Sequence, residues 1–222
     1  MSVLAAFRDS ERAAPILERI RARNTGPESL MEFCGGHTVA IFRSGIRSVM
    51  PGNVRMLSGP GCPVCVTSNA DLDRAAALAK MPNVLLATYG DMLKVPGSKE
   101  SLAEVKAQGY PVHIVYSTLD ALRLAHEHPD KQVVFFAIGF ETTAPAAAAA
   151  VLQARAQGLS NFSICSVMKL TIPGARALLD MGEVRVHGVI GPGHVSSIIG
   201  ADAWRFLPEQ YGLPVAISGF EP

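Results

Sequence analysis

Two cysteines stand three positions apart in the segment GPGCPVC, residues 59–65. The Cys-x-x-Cys spacing of Cys62 and Cys65 allows a disulfide between two neighbouring thiols, and it also supplies half of a zinc site. A structural interpretation is that a turn rich in Gly and Pro holds two small cysteines without chemistry. The paired spacing favours redox exchange or metal binding, and the segment alone leaves these two open.

A second segment that could do chemistry is CGGHT, residues 34–38. Cys34 and His37 combine a thiol with an imidazole, as in an activated nucleophile or a soft metal ligand. Gly35 and Gly36 let backbone N–H groups approach a bound ligand. Cys34 and His37 could also complete a zinc site with the Cys-x-x-Cys pair, although a single cysteine at a strand end is more often a packing residue.

Three further residues have both a chemical and a structural interpretation. His194 in GPGHVSS repeats the position of Cys62 and offers an imidazole, but it could instead cap a helix. Glu141 in GFETT could accept hydrogen bonds from a partner or a cysteine proton, or could complement a helix dipole. Cys165 lies inside an apolar run and is interpreted as structural.

The elements that must position these residues are short apolar runs alternating with longer helical patterns, which is typical of parallel α/β folds. A helix is expected at residues 68–81, capped by Ser68 or Asn69, and another from Thr118 onward. Eight strands are predicted, at residues 29–35, 53–59, 83–90, 111–117, 132–139, 161–167, 186–192 and 214–220. In open parallel sheets the functional crevice lies beyond the carboxyl ends of the strands, where these motifs fall.

An internal similarity suggests how the chain is divided. VRMLSGPGCPV at 54–64 resembles VHGVIGPGHVS at 186–196, and PNVLLATYGDM at 82–92 resembles LPVAISGFEP at 213–222. We therefore expect an α/β protein with two similar doubly wound parallel-sheet, Rossmann-like subdomains that face a central cleft. The predicted divisions are an N-terminal helix at 1–24, a first subdomain at 25–120 and a second at 121–222.

Composition narrows the class of protein. The 222 residues carry a net charge of +1 without a basic block, which argues against nucleic-acid binding. There is no apolar run near twenty residues and no signal sequence, so neither a membrane span nor export is expected. Four cysteines without an export signal favour a reducing cytoplasm.

Six motifs in order give a family resemblance: CGGHT, GPGCPVC, GDMLKVPGSK, VVFFAIGFETT, GPGHVS and the closing GFEP. From about residue 29 to 222 this combination resembles the hydrogenase maturation factor HypD family. The resemblance implies a scaffold, of uncertain enzymatic status, on which the Fe(CN)2CO group of NiFe hydrogenases is assembled. It also implies a HypC-type chaperone and a HypE-type cyanide donor as partners.

Carried over onto this sequence, the family's cleft cysteine is Cys34, a transient iron contact, with His37 in the same motif. Its redox pair falls on Cys62 and Cys65, and we place Glu141 and His194 beside them in the catalytic set. Backbone amides that could hydrogen-bond cyanide nitrogens, together with one hydroxyl, form the predicted ligand-binding set: Gly35, Gly36, Gly61 and Thr38.

Three departures from the family pattern stand out. Val39 occupies the position of the second motif histidine, and the stretch Ser166 to Lys169 lacks a histidine that the family usually has there. The family also continues beyond GFEP into a domain with cysteines for a 4Fe-4S cluster, whereas this chain ends at Pro222. We therefore expect this polypeptide alone to have impaired family activity.

Two other functions compete with the scaffold. One is a thiol-disulfide oxidoreductase in which the CPVC pair is the whole mechanism. The other is an α/β protein with structural zinc held by Cys34, His37, Cys62 and Cys65.

Overall fold

The computed structural model describes residues 9–221, and its strands form two parallel sheets of four, flanked by helices. The predicted α/β class with two Rossmann-like subdomains is confirmed. In chain order the strands are β1 (Glu28–Glu32), β2 (Val54–Ser58), β3 (Val84–Tyr89), β4 (Val112–Val115), β5 (Gln132–Ala137), β6 (Phe162–Ser166), β7 (Gly188–Pro192) and β8 (Val215–Ser218).

All eight predicted strands are present, each two or three residues shorter than the apolar pattern suggested, and β1 begins one residue earlier than expected. The helices are α1 (Ser10–Arg23), α2 (Gly35–Arg43), α3 (Ile46–Val49), α4 (Asn69–Ala79), α5 (Leu102–Ala107), α6 (Thr118–Glu127), α7 (Ala144–Ala156), α8 (Thr171–Asp180), α9 (Gly193–Ile199) and α10 (Phe206–Tyr211). Two short 3-10 helices lie at Gly90–Lys94 and Ala201–Trp204. The first eight residues of the predicted N-terminal helix lie outside the described residues.

Local capping explains where two of the predicted helices begin. The Ser68 side chain accepts a hydrogen bond from the Asp71 N–H and caps α4. Ser117 and Asp120 form a reciprocal capping box at the start of α6. Both starts agree with the sequence prediction, since these caps depend only on neighbouring residues.

The first sheet has the strand order β2-β1-β7-β8, and the second has the order β4-β3-β5-β6. In the first sheet Glu32 of β1 is paired with Ser58 of β2, and Met31 is paired with Val189 of β7. Parallel pairing places the carboxyl ends of β1 and β2 together, and each strand continues directly into one of the motif loops.

The chain divides into two compact units that are not consecutive halves. The first unit comprises the chain up to Cys62 together with the segment from Ile172 onward, and the second comprises residues 63–171. This differs from the predicted subdomains at 25–120 and 121–222, because β7 and β8 pair in the sheet that already contains β1 and β2.

The internal similarity also has a different meaning from the one expected. Both GPG strand ends, after β2 and at the end of β7, belong to the first sheet, on either side of β1. The two GPG segments therefore lie at the same edge of one sheet, on either side of β1. They are not equivalent positions in two copies of a subdomain.

Each unit has its own core. In the second unit the strands β3 and β5 are almost wholly buried, and Leu86, Phe135 and Phe136 have no exposed surface. In the first unit a smaller cluster forms around Trp204, whose ring lies 5.9 Å from that of Phe33 and whose indole N–H donates to Ser196. This agrees with the assignment of Trp204 to packing.

Between residues 9 and 221, none of the helices combines the length and the apolar character needed to cross a lipid bilayer.

Candidate functional site

The candidate site in the first unit is built where β1 and β2 end. Cys34 follows β1 by two residues, and the loop from Gly59 to Cys62 follows β2. A Cβ placed on Gly61 would lie only 2.5 Å from the Cys34 nitrogen and 2.6 Å from that of Gly35. The two loops therefore touch through their backbones, and only glycine fits at position 61.

Cys34 has an unusual backbone conformation. Its φ of 95° is one of two positive values among the non-glycine residues that the structure describes, and Cys34 is the N-cap of α2. Such a conformation costs on the order of 1–3 kcal/mol and persists only where the surroundings hold it. Here the Cys34 carbonyl accepts the His37 N–H, and the preceding Phe33 N–H donates to Ile190.

The helix α2 begins with the two motif glycines. As its first residues, Gly35 and Gly36 have N–H groups without acceptors inside the helix. Gly36 is also a site of close approach, because a Cβ there would meet the Phe220 ring at 2.7 Å. Both positions can present backbone donors beside the Cys34 thiol, which is partly exposed.

A buried carboxylate ties the two loops together. Glu32, the last residue of β1, is fully buried, and its Oε1 accepts hydrogen bonds from the hydroxyls of Thr38 at 2.9 Å and Ser58 at 2.8 Å. The Glu32 carbonyl accepts the Gly59 N–H at 2.8 Å. Its other carboxylate oxygen, Oε2, is buried and has no hydrogen-bond partner among the described residues.

This network changes the interpretation of Thr38. Its hydroxyl was predicted to contact a ligand, whereas in the structure it donates to Glu32. Thr38 therefore connects the first turn of α2 to the end of β1.

His37 is held by backbone carbonyl groups on both sides of its ring. Nδ1 lies 2.9 Å from the Phe33 oxygen, and Nε2 lies 3.0 Å from the Gly219 oxygen and 3.1 Å from that of Ser218. The side chain is only 2% exposed. A metal at either nitrogen would have to displace one of these contacts, so the geometry favours a role in joining α2 to the segment after β8.

Phe220 lies between two imidazoles. Its ring centroid is 4.9 Å from that of His37 and 5.1 Å from that of His194, which is the second residue of α9. Burial lowers the pKa of His194, and the charge of His37 lowers it further. The structure thus places His194 beside the same loops as Cys34, and no side-chain cap of α9 involves it.

Val39, at the position where the resemblance implies a second histidine, lies on the outer face of α2. Val39 is 48% exposed, and Phe42, one turn further along, is 77% exposed. Neither side chain lies in the buried network around Glu32.

Two predicted site residues belong to the second unit. Cys65 is exposed. Glu141 is almost buried, and its two carboxylate oxygens accept the N–H and the hydroxyl of Thr171, both at 2.7 Å. Both acceptor sites of Glu141 are therefore occupied by Thr171 of the same unit.

Among residues 9–221, no group of three or more His, Cys, Asp or Glu side chains is placed to hold a metal ion. The four-ligand zinc site is therefore absent from the described part of the chain. The same residues offer no ligand set for the 4Fe-4S cluster that the resemblance implies for the longer family members, and such a cluster does not fit them.

Sequence reasoning missed Glu32, Ser58 and Phe220. Glu32 and Ser58 could have been found from the sequence. An acidic residue inside an apolar strand, such as Glu32, is rarely buried without a partner. Ser58 ends the neighbouring strand and was an available donor. Nothing local marks Phe220, whose role depends on the pairing of β8.

The model of the HypD family, described as a hydrogenase formation hypA family, matches residues 11–222. Proteins named hydrogenase maturation factor HypD are similar to this chain. The one from Azotobacter vinelandii is 49% identical over 230 residues, that from Rhizobium leguminosarum bv. viciae 46% over 231, and that from Escherichia coli strain K12 40% over 229. Each alignment covers 100% of this chain and 60% or 61% of the relative. The chain thus spans about three fifths of the length of the curated relatives it matches.

Proposed function

Because the chain belongs to the HypD family, we propose that it acts in hydrogenase maturation as a scaffold on which the Fe(CN)2CO group is assembled. Iron is the cargo in this proposal, and the Cys34 thiolate is the ligand that this chain supplies. The observation that supports it most is the fixed position of Cys34, at a positive φ beside the Gly61 backbone.

The start of α2 would recognise the anionic ligands of the iron. The N–H groups of Gly35 and Gly36 lie at the positive end of a nine-residue helix, directly after the thiol. Backbone donors of this kind suit cyanide nitrogens, which accept hydrogen bonds. Gly61 contributes mainly by letting its loop approach Cys34, since any larger residue would push the two loops apart.

We assign Cys62 and Cys65 to a redox role in the same process. Their spacing allows the pair to cycle between a dithiol and a disulfide, giving up or taking up two electrons and two protons in each step. The electron donor or acceptor would be another thiol, disulfide or redox protein.

The partners that we propose are a HypC-type chaperone, which shares the iron, and a HypE-type cyanide donor, in the cytoplasm. This part of the proposal depends on membership of the HypD family. The exposed face of α2 formed by Val39 and Phe42 lies directly after the motif and is available to a protein partner.

The test is anaerobic titration of the reduced chain with ferrous iron, followed by gel filtration with and without the chaperone. We expect Cys34→Ala to abolish both iron retention and chaperone binding. Cys165→Ala is the matched control and should leave both unchanged, because Cys165 lies on β6 and burial raises the pKa of its thiol.

Two results would contradict the scaffold. If Cys34→Ala binds iron as well as the unchanged chain does, Cys34 is not the ligand. If no variant binds iron while the Cys62 and Cys65 pair exchanges with a disulfide substrate, the thiol-disulfide oxidoreductase is the better description.

A further inference from the structure

The thiol of Cys34 has a second neighbour in the first unit, which is Cys62. The Gly61 backbone lies against that of Cys34, so the Cα atoms of these two residues are no more than about 4 Å apart. Consecutive Cα atoms are ~3.8 Å apart, which brings the Cα of Cys62 within about 8 Å of that of Cys34. Disulfides typically span Cα separations of about 4.4–6.8 Å, and the upper bound found here lies just above that range.

The loops that carry these cysteines are anchored against each other. Glu32 holds both of them, through Thr38 at the start of α2 and through Ser58 and Gly59 at the end of β2. Fixing two reacting groups in this way raises their effective concentration and favours an intramolecular bond over reaction with external thiols. Both cysteines are also partly exposed, so an oxidant can reach them.

We propose that Cys34 and Cys62 form a reversible disulfide when the chain meets a small disulfide oxidant such as oxidised glutathione. The Cys34 or Cys62 thiolate attacks one glutathione sulfur and releases one glutathione thiolate. The other cysteine then attacks the mixed disulfide and releases the second glutathione. Overall the two cysteine thiols lose two electrons and two protons, and one glutathione disulfide is reduced to two thiols.

This inference rests on the proposed function in one respect, because it concerns the thiol assigned to iron. A sulfur atom in a disulfide has no thiolate charge to donate, so oxidation would prevent iron binding at Cys34. The bond also competes with the Cys62 and Cys65 pair for the Cys62 sulfur. Cys62 would then form a disulfide either with Cys65, which leaves the Cys34 thiol available to iron, or with Cys34, which blocks it.

The experiment uses the Cys65→Ser chain, in which the competing thiol is removed. The reduced protein is incubated with excess oxidised glutathione, blocked with N-ethylmaleimide, digested with trypsin without reduction and analysed by mass spectrometry. Trypsin places Cys34 in the peptide 24–43 and Cys62 in the peptide 56–74. We expect these two peptides to be linked, with two hydrogen atoms fewer than their sum.

Controls separate a specific bond from general oxidation. Adding Cys34→Ser or Cys62→Ser should abolish the linked peptide, whereas adding Cys165→Ser should leave it unchanged. Circular dichroism checks that Cys65→Ser is folded. If Cys65→Ser is unfolded, the same experiment is done on the chain without substitutions. The amount of peptide 24–43 linked to peptide 56–74 is then compared with the amount of peptide 56–74 that carries a disulfide between Cys62 and Cys65. Glutathione adducts on both cysteines without a link would overturn the proposal.

A second measurement keeps the two proposals distinguishable. Reduced Cys65→Ser should bind ferrous iron under anaerobic conditions, the oxidised form should lose binding, and dithiothreitol should restore it. If the reduced form does not bind iron although the peptides become linked, the proposed function fails and the disulfide stands. If the oxidised, linked form still binds iron, the disulfide does not control the iron site.

Discussion

The two units of this chain use the same kind of sheet in different ways. In the second unit, β3 and β5 are buried along almost their whole length and are paired with strands on both sides. In the first unit the central strand β7 is buried as well, and in both units edge strands such as β2 and β6 are partly exposed. The first unit differs in its smaller core and in the loops that follow β1 and β2. The positive φ of Cys34 and the unpartnered oxygen of Glu32 lie together at the end of β1, whereas their counterparts in the second unit, at Asn83 and Thr118, lie on separate elements.

The difference indicates which interactions stabilise each unit. Continuous apolar burial gives the second unit a larger core than that of the first. In the first unit a few hydrogen bonds to Glu32 and His37 hold the loops in place. The strained backbone of Cys34 lies in one of these loops, and such strain is characteristic of functional sites. Four substitutions test this contrast, and they follow from the largest expected effect to the smallest.

The largest effect should come from the core of the second unit. Phe136→Ala removes a fully buried ring and should lower the free energy of unfolding by about 3–5 kcal/mol. Phe42→Ala is the matched control on an exposed helix face, where the change should stay within about 0.5 kcal/mol. Urea unfolding followed by circular dichroism measures both, and equal losses would show that burial does not distinguish these positions.

The next effect concerns the carboxylate that joins the two loops. Glu32→Ala removes the carboxylate that accepts from the Thr38 and Ser58 hydroxyls and pairs with Arg47 at 3.8 Å, and it should cost about 2–4 kcal/mol of unfolding free energy. Glu32→Gln keeps an amide oxygen as acceptor and should cost clearly less. Glu28→Ala, which removes only a partly exposed contact with His187 at the start of the same strand, serves as the control. If Glu32→Ala behaves like that control, the network does not hold the first unit together.

A smaller loss is expected where the backbones touch. Gly61→Ala forces a methyl group against Cys34 and should lower the free energy of unfolding by about 1–3 kcal/mol. It should also change the rate at which iodoacetamide alkylates Cys34, measured by mass spectrometry. Gly52→Ala, where no atom lies within 4 Å of the added methyl, should change neither quantity. An unchanged Cys34 rate in Gly61→Ala would mean that the contact does not position the thiol.

The smallest effect is a dependence on pH. Burial lowers the pKa of His194 from its usual value near 6.5, so the unfolded chain takes up a proton before the folded one. The contribution of His194 to stability is therefore fully present above pH ~6.5 and is lost as the pH falls below that value. His194→Gln should reduce the loss of stability on acidification, measured as the urea midpoint on either side of pH ~6.5.

His113 in the second unit provides the comparison for this pH effect. Burial is also the main cause of its lowered pKa, followed by the charges of Lys106 and His128. His113→Gln should therefore change the acid dependence in the same direction as His194→Gln. If a variant leaves the acid dependence of stability unchanged, the replaced histidine has the same pKa in the folded and unfolded chains.

The sequence predicts those parts of the molecule that depend on neighbouring residues. All eight strands, the caps at Ser68 and Ser117 and the contact between the loops after β1 and β2 follow from local patterns and parallel pairing. The division into units could not be predicted, because nothing in β7 or β8 indicates that these strands pair in the sheet of β1. The contacts of His37 with Ser218 and Gly219 depend on the same long-range pairing.

The strand order of the first sheet also has a consequence for biosynthesis. Residues 63–171 are continuous and leave the ribosome before β7 and β8 are translated, so the second unit can fold while the first still lacks half of its sheet. His37 contacts the carbonyl oxygens of Ser218 and Gly219 and the ring of Phe220, which all follow β7 in the sequence. Because these groups follow residue 217, the loop that bears Cys34 reaches its final arrangement only after the whole second unit has been made.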